Sequence, residues 1–467
     1  MASAAERRYH PPMRHVVLIS APWRDPVWAA SAWRDEPFAC ALVSGGQAGR
    51  WSYLLRDPDA AWTLDADDPR DPFTTLAELI GPRQAVEPDG PPFQGGVLGL
   101  ASYELGDRVE PLGLPRTGWP DLACARYPAL LAFDHHQRRV LAVGRGGSPS
   151  FARAKAEAAL AWLDAAAPVE REGALCVDLA ESDGEAYEAA VAQVVERIVG
   201  GEIFQANIAR AWTGRLVDGA HPFDLFARLR ADSPAPFSAY LRLPGRAMVS
   251  NSPERFLKVS AQDGGGDLSI ETRPIKGTRP RGADRAQDAA LMAELSASAK
   301  DRAENLMIVD LMRNDLARVS PPGSVDVPEL FRVETFANVH HLVSTVTSKL
   351  APGLTAADLL RAAFPPGSIT GAPKVQAMKV IAQLETPRGP YCGSLFWAGI
   401  DGAFESSVLI RTVGLEQDGL EQDGRGWRLE ARAGAGIVAD SDPHAERLET
   451  EAKFAALRRA LLEEPRG

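Results

Sequence analysis

The chain has 467 residues, 45% apolar and 24% charged, a balance that excludes general disorder and suits one large composite domain or two to three ordinary ones. A net charge of −11 excludes a general nucleic-acid binder, and an acidic chain that takes an anionic substrate needs a local cationic site or a metal. The four cysteines, Cys40, Cys124, Cys176 and Cys392, are too scattered for a metal-ligand set or a disulfide framework, which fits a reducing cytoplasm.

The apolar run from Val16 to Ala21 is too short for a membrane span and reads as a first strand. Ala41-Leu42-Val43 and Trp51 to Leu55 are strand candidates around a Ser44-Gly45-Gly46 turn. Gly95 to Leu100 is glycine-rich but lacks the spacing of a nucleotide loop, so a close-packed strand is expected. Ser150 to Ala166 has helical periodicity, and Pro168 to Gly173 reads as a linker. A soft boundary there divides an N-terminal region, 1–170, from a second, 182–460. Tyr187, Val191, Val194, Val195 and Ile198 recur at helical spacing, and Gly200-Gly201 stops that helix. Glu202 to Asn207 is strand-like or a tight connection. Later helices are expected at 299–317, 355–364, 372–385 and 443–464. Strands are expected at 238–243, 246–250, 395–400, 406–414 and 427–433. Long helices mixed with adjacent strand pairs predict an α+β fold with antiparallel sheets. Leu415 to Gly419 repeats as Leu420 to Gly424, which reads as a lengthened hairpin loop.

Three features carry chemistry. Asp301 and Glu304 share one face of the helix at 299–317, and Glu446 and Glu449 repeat that spacing ahead of Lys453. Two such pairs can build an oxygen cage for Mg²⁺, although spaced acids are usually solvated helix faces. Gly367 to Lys374 leads into a helix start with Ser368 and Thr370, which is either a plain cap or an anion site. The glycines of Ala433-Gly434-Ala435-Gly436 end a strand and allow a ligand to approach the backbone.

In this order, Asn251 to Phe256, Arg273-Pro274-Ile275-Lys276-Gly277-Thr278, Asp301 to Asp315, His341 to Ser344, Gly367 to Lys374 and Ala433 to Ser441 resemble the motifs of the chorismate-utilising enzymes. That family includes the large subunits of anthranilate synthase and aminodeoxychorismate synthase, and the isochorismate and salicylate synthases. The strong resemblance covers roughly residues 182–460, and the N-terminal region resembles the amidating members more loosely. It implies large antiparallel sheets packed as a sandwich flanked by helices.

The resemblance also implies roles. Glu304 and Glu449 correspond to magnesium ligands, with Asp301 and Glu446 as supporting carboxylates; a Glu is more usual at position 301. Tyr391, Arg411, Gly434, Ala435, Gly436 and Lys453 correspond to substrate-holding positions. Gly277, Thr278, Ser368 and Thr370 lie in substrate-lining segments. His341 corresponds to the histidine beside the substrate ring. Chorismate carries two carboxylates, which Mg²⁺ and Arg411 with Tyr391 can neutralise.

Lys276 separates the members. Anthranilate synthases usually carry Ala at this position and aminodeoxychorismate synthases carry Lys, which attacks C2 before ammonia adds at C4. The attacking amine must be neutral, and Arg273, Arg279 and Arg281 are candidates for lowering its pKa. Glu254 is the expected proton donor for the leaving hydroxyl, with His341 as alternative or partner; an ion pair of Glu254 with Arg255 is the plain reading. No Cys-His-Glu constellation is evident, so the resemblance implies a separate glutamine amidotransferase subunit. A tryptophan pocket in related enzymes corresponds to Ser44, Trp51 to Leu54, and Pro236-Phe237-Ser238. The competing expectations are an anthranilate synthase large subunit, a water-using isochorismate-type enzyme and a non-catalytic chorismate-binding subunit. Lys276 speaks against the first two, and the full set of acids against the third.

Overall fold

The computed structural model describes residues 14–45, 49–165, 167–169, 171–261, 266–336, 339–418 and 426–462. Two large sheets, both antiparallel at every strand pair, stack face to face with helices on their outer sides. The first, of twelve strands, runs from His15–Pro22 through Arg139–Gly146, Ala129–Asp134, Trp51–Leu55 and Cys40–Val43 to Phe237–Leu243 and Arg246–Ser252. It continues through Thr412–Gln417 and Trp427–Ile437 to Gln205–Leu216. The second, of ten strands, has Ile275–Pro280 at one end and Ala60–Leu64 at the other. Residues 15–146 and 176–437 contribute strands to both sheets, so the N-terminal and C-terminal stretches share one framework.

Strand alternation explains the layers. Tyr53, Leu130, Leu241 and Met248 of the first sheet meet Leu98, Leu100, Leu395 and Trp397 of the second in a closed apolar layer. The other face of the first sheet, through Trp212, Leu429 and Ala431, packs on helices Pro222–Asp232 and Pro443–Leu462. The outer face of the second sheet, through Phe256 and Ile270, packs on helices Ala299–Ala317 and Ala356–Ala363. The glycine-rich stretch forms the strand Gly96–Ala101, buried throughout. A Cβ on Gly99 would lie 2.2 Å from the Phe396 ring, so the glycine is what lets that ring cross the strand.

The expected helices at 299–317, 355–364, 372–385 and 443–464 are found as Ala299–Ala317, Ala356–Ala363, Lys374–Leu384 and Pro443–Leu462. Ser298 caps the first of these, accepting from the Asp301 backbone N–H at 3.2 Å. One expectation is corrected. The run 406–414 is two strands, Phe404–Val408 in the second sheet and Thr412–Gln417 in the first. Between them Arg411 takes a positive φ of 52°, and the chain crosses from one layer to the other. Thr412–Gln417 and Trp427–Ile437 pair as an antiparallel hairpin. Residues 419–425, which include the second copy of the repeat, lie outside the described residues. No described helix is long and apolar enough to cross a membrane.

Candidate active site

The site lies at one end of the sandwich, where the edge strand Ile275–Pro280 of the second sheet faces Trp427–Ile437 and Gln205–Leu216 of the first. Pairing of Ile275–Pro280 with Val339–Lys349 slips by one residue between Ile275–Val343 and Thr278–His341. This bulge interrupts the alternation and re-aims Lys276. Gly277 follows with φ of 80°, and a Cβ there would lie 2.8 Å from Asp301 Cγ, so only glycine lets the strand meet the helix start.

Lys276 reaches across to the first sheet. A Cβ built on Gly436 would lie 2.9 Å from Lys276 Nζ and 3.0 Å from Gln205 Nε2. The Lys276 side chain is 14% exposed, and its amine lies 3.9 Å from Glu304 Oε2. Burial lowers the Lys276 pKa below its ordinary value; Glu304 opposes this and Lys453 adds to it. The expected arginines are not its neighbours. Arg273 pairs with Glu334, Arg279 with Glu294 and Asp301, and Arg281 with Asp288. Lys453, remote in sequence, supplies the cationic environment, donating to the Gly434 carbonyl at 2.8 Å and pairing with Glu449 at 2.6 Å.

Glu254 is buried and accepts a hydrogen bond from Ser368 Oγ at 2.7 Å. Burial raises its pKa, against the pull of Ser368, Lys276, Lys453 and Arg411. The expected alternative, an ion pair with Arg255, is absent: Arg255 pairs with Glu271 and Glu405. Arg411 is solvent-accessible yet flanked by protein, which lowers its pKa while Glu254 opposes. His341 shares a 2.9 Å hydrogen bond with Thr278 Oγ1 and packs edge-on against Phe336. Burial, then the nearby Arg411, lowers its pKa to about 4, so its ring is neutral at neutral pH.

The helix carboxylates gather around Lys276. Glu304 is raised above the usual range by burial, with Asp301 and Glu446 repelling it further. Glu446 is raised by burial and by Glu449, although Ser441 donates to it at 2.7 Å. Glu449 is desolvated too, yet Lys453, Lys276 and Lys300 hold it below the usual range. Among the described residues no three His, Cys, Asp or Glu groups form a ready-made metal cage. Glu304 and Glu446, raised by burial and by neighbouring carboxylates, nonetheless fit, with Glu449, a hard divalent cation that takes few protein ligands.

Other expected residues sit less centrally. The Thr370 hydroxyl donates to Pro366 O at 3.0 Å and is fully buried in its own turn. The Ala435 side chain packs into the apolar cluster beneath helices Gly184–Val199 and Lys374–Leu384, which leaves its backbone to the site. Tyr391 is buried beside the Arg388 guanidinium, 5.8 Å from the ring centre, and lines a cavity with Thr412 and Arg432. Ser44, Pro236, Phe237 and Ser238 do come together, with Trp51 and Tyr53, around an inter-sheet cavity of about 510 Å³ that extends to Ile275. Sequence reading missed Gln205 and Asn207, which the strand register sets beside the two glycines. The available signal was two carboxamides alternating with Ala206 and Ile208 on a strand, so that both face the same side.

Residues 38–459 match the chorismate binding enzyme family. Aminodeoxychorismate synthase component 1 of Klebsiella aerogenes is 40% identical over 458 residues, covering 93% of this chain and 96% of that protein. Anthranilate synthase component 1 of Streptomyces coelicolor is 40% identical over 446 residues, covering 90% and 82%. The crystal structure of anthranilate synthase component I from Streptococcus pneumoniae superposes with a TM-score of 0.76 at 28% identity, covering 89% of this chain and 94% of that one. With a match across nearly its whole length, and with its acids, lysines and glycines converging at one end of the sandwich, the chain belongs to the chorismate binding enzymes.

Proposed function

We propose that the chain aminates chorismate at C4, giving 4-amino-4-deoxychorismate for p-aminobenzoate and folate synthesis in the cytoplasm. Ammonia comes from a separate glutamine amidotransferase subunit. The observation that carries this reading is the placement of Lys276: a mostly buried amine, re-aimed by a bulge, over the glycine floor of the opposite sheet.

The neutral Lys276 amine attacks C2, the two conjugated ring double bonds shift round the ring, and the C4–O bond breaks. Glu254 gives its proton to the departing hydroxyl, which leaves as water. Ammonia then attacks C4, both double bonds shift back, and the C2–N bond to Lys276 breaks. The proton lost by the incoming nitrogen restores the acid. The raised pKa of Glu254 and the lowered pKa of Lys276 support this division of roles. Neutral His341, held by Thr278, orients the ring and is the weaker acid candidate.

Glu304 and Glu449 would hold Mg²⁺, with Asp301 and Glu446 supporting them. The ion supplies a positive charge for the ring carboxylate. Arg411, assisted by Tyr391, takes the enolpyruvyl carboxylate. Gly434, Gly436 and the Ala435 backbone form the floor, Lys453 fixes its carbonyl edge, and Gly277, Thr278 and Ser368 line the wall with the Thr370 turn behind. The inter-sheet cavity at Ser44, Pro236, Phe237 and Ser238 suits an amphipathic amino acid such as tryptophan.

Incubating purified protein with chorismate, Mg²⁺ and an ammonium salt, with and without an aminodeoxychorismate lyase, tests the reading. Aminodeoxychorismate is expected, and p-aminobenzoate when the lyase is present. Anthranilate as the product would overturn the assignment. A Lys276→Ala variant that makes aminodeoxychorismate at full rate would remove the covalent step alone.

A further inference from the structure

A carboxyl that gives up a proton has to be held in register with the floor that Lys276 reaches. Glu254 lies where the chain leaves the strand Arg246–Ser252 of the first sheet for Arg255–Ala261 of the second. Its side-chain partner is Ser368, in the single turn Gly367–Ile369. That turn is loosely closed by its own backbone. The Ile369 N–H reaches Pro366 O at 3.4 Å, and the Thr370 N–H reaches Gly367 O at 3.3 Å. Bonds of that length are weak, so the Ser368 hydroxyl needs support from outside the turn.

Arg388 gives that support. Its side chain is buried; Nη1 donates to Ile369 O at 3.1 Å and Nη2 to Asn207 O at 2.6 Å. The Asn207 N–H donates in turn to Thr370 O at 2.8 Å. The turn is thereby stapled to the strand Gln205–Leu216, where Asn207 and Ala209 pair with Gly436 and Gly434. Glu385 aims the guanidinium, accepting from Nε at 2.9 Å and Nη2 at 2.8 Å, and it also accepts the Ala209 N–H at 2.8 Å. Glu104 accepts the Arg388 backbone N–H at 2.7 Å, which fixes where the side chain starts. Replacing a buried ion pair by apolar side chains of like size is often neutral for stability, so stability alone does not account for this pair. A planar fork joins two carbonyls in a way that a lysine point charge cannot.

We propose that Arg388, aimed by Glu385, is a positioning residue for proton transfer: by joining the Ile369 and Asn207 carbonyls it fixes Ser368, and through Ser368 the Glu254 carboxyl, against the glycine floor. This inference rests on the amination reading with Glu254 as the acid.

Two variants test it. Arg388→Lys keeps the charge and loses the fork. The double variant Glu385→Gln/Arg388→Met removes both charges at similar volume; its urea midpoint should stay near that of wild type, and it serves if the lysine variant does not fold. In both, kcat for amination should fall ~10- to 100-fold. The charges that act most on Glu254 are Lys276, Lys453 and Arg411, and both variants leave them in place. A weakened Ser368 contact disfavours ionised Glu254, so the alkaline limb of the kcat profile should move to higher pH, whereas a merely structural role leaves the limb where it is. On a Ser368→Ala background, Arg388→Lys should lower kcat by less than about threefold further, because the contact through which it acts is already gone. A folded variant with wild-type kcat, an unmoved limb, or full multiplication of the two losses would overturn the positioning role. Wild-type protein that makes no aminated product would instead remove the amination reading, and a Glu254→Gln variant that aminates at full rate would remove the acid through which Arg388 acts.

Discussion

Gly436→Ala probes the reach of Lys276 across the two sheets. The added methyl carbon would lie 2.9 Å from Lys276 Nζ and 3.0 Å from Gln205 Nε2, whereas ordinary contact begins at 3.4 Å. Both atoms end flexible side chains, so the clash is relieved by retreat of the amine by about 0.5 Å or more rather than by backbone movement. Gly436 lies within a regular strand and is not among the positive-φ glycines, so alanine is conformationally acceptable. Replacing glycine there should leave stability within about 1 kcal/mol of wild type. Misplacing a reacting group by ~1 Å costs on the order of 10²-fold in rate, so kcat should fall ~10- to 100-fold. Thermal unfolding and steady-state amination assays on the same preparation separate the two effects. Wild-type kcat in a protein that folds normally would refute the placement of Lys276 over this floor.

Three further outcomes follow from the described contacts. Ser368→Ala removes the 2.7 Å hydrogen bond that favours ionised Glu254. The Glu254 pKa, already raised, then rises further, and an activity that needs its acid form should lose its alkaline limb at higher pH than wild type; a limb that moves down would contradict the acid role. Glu385→Gln neutralises the carboxylate that pairs with buried Arg388 at 2.8 Å, leaving that guanidinium without its counter-charge, while Arg432, 3.8 Å from Glu385, keeps its pair with Glu430 at 2.7 Å. Urea unfolding should show a loss of about 3–5 kcal/mol. Thr278→Val breaks the 2.9 Å contact that fixes the His341 ring; kcat should drop several-fold while chorismate affinity, measured by equilibrium titration, holds.

Much of the architecture was legible because alternation and helical spacing are local. The helix Ala299–Ala317 matches its sequence reading, and Gly96–Ala101 is the close-packed strand expected of its glycines. The 406–414 run shows where such reading stops. Apolar residues continue through Leu409 and Ile410, but the chain changes layers at Arg411, and no periodicity records which sheet a residue joins. The electrostatics of Lys276 were hidden for the same reason. Nearby arginines were visible in sequence, yet each has its own acid partner, and the cation that matters is Lys453, 177 positions away. In sequence Gln205 and Asn207 are legible only as part of a strand-like or tightly connecting run, since their place beside Gly434 and Gly436 exists only once the strand register is set.

The nucleophile and its floor belong to different sheets. The distance between them is therefore a thickness, fixed by the side chains stacked between the layers. Phe93 and Trp397 stack in that filling at 4.9 Å, with Tyr53 edge-on to Phe93 at 5.7 Å. These rings touch no reacting atom, yet they act as a spacer gauge. A smaller ring there would let the sheets settle toward each other and change the gap that Lys276 has to bridge.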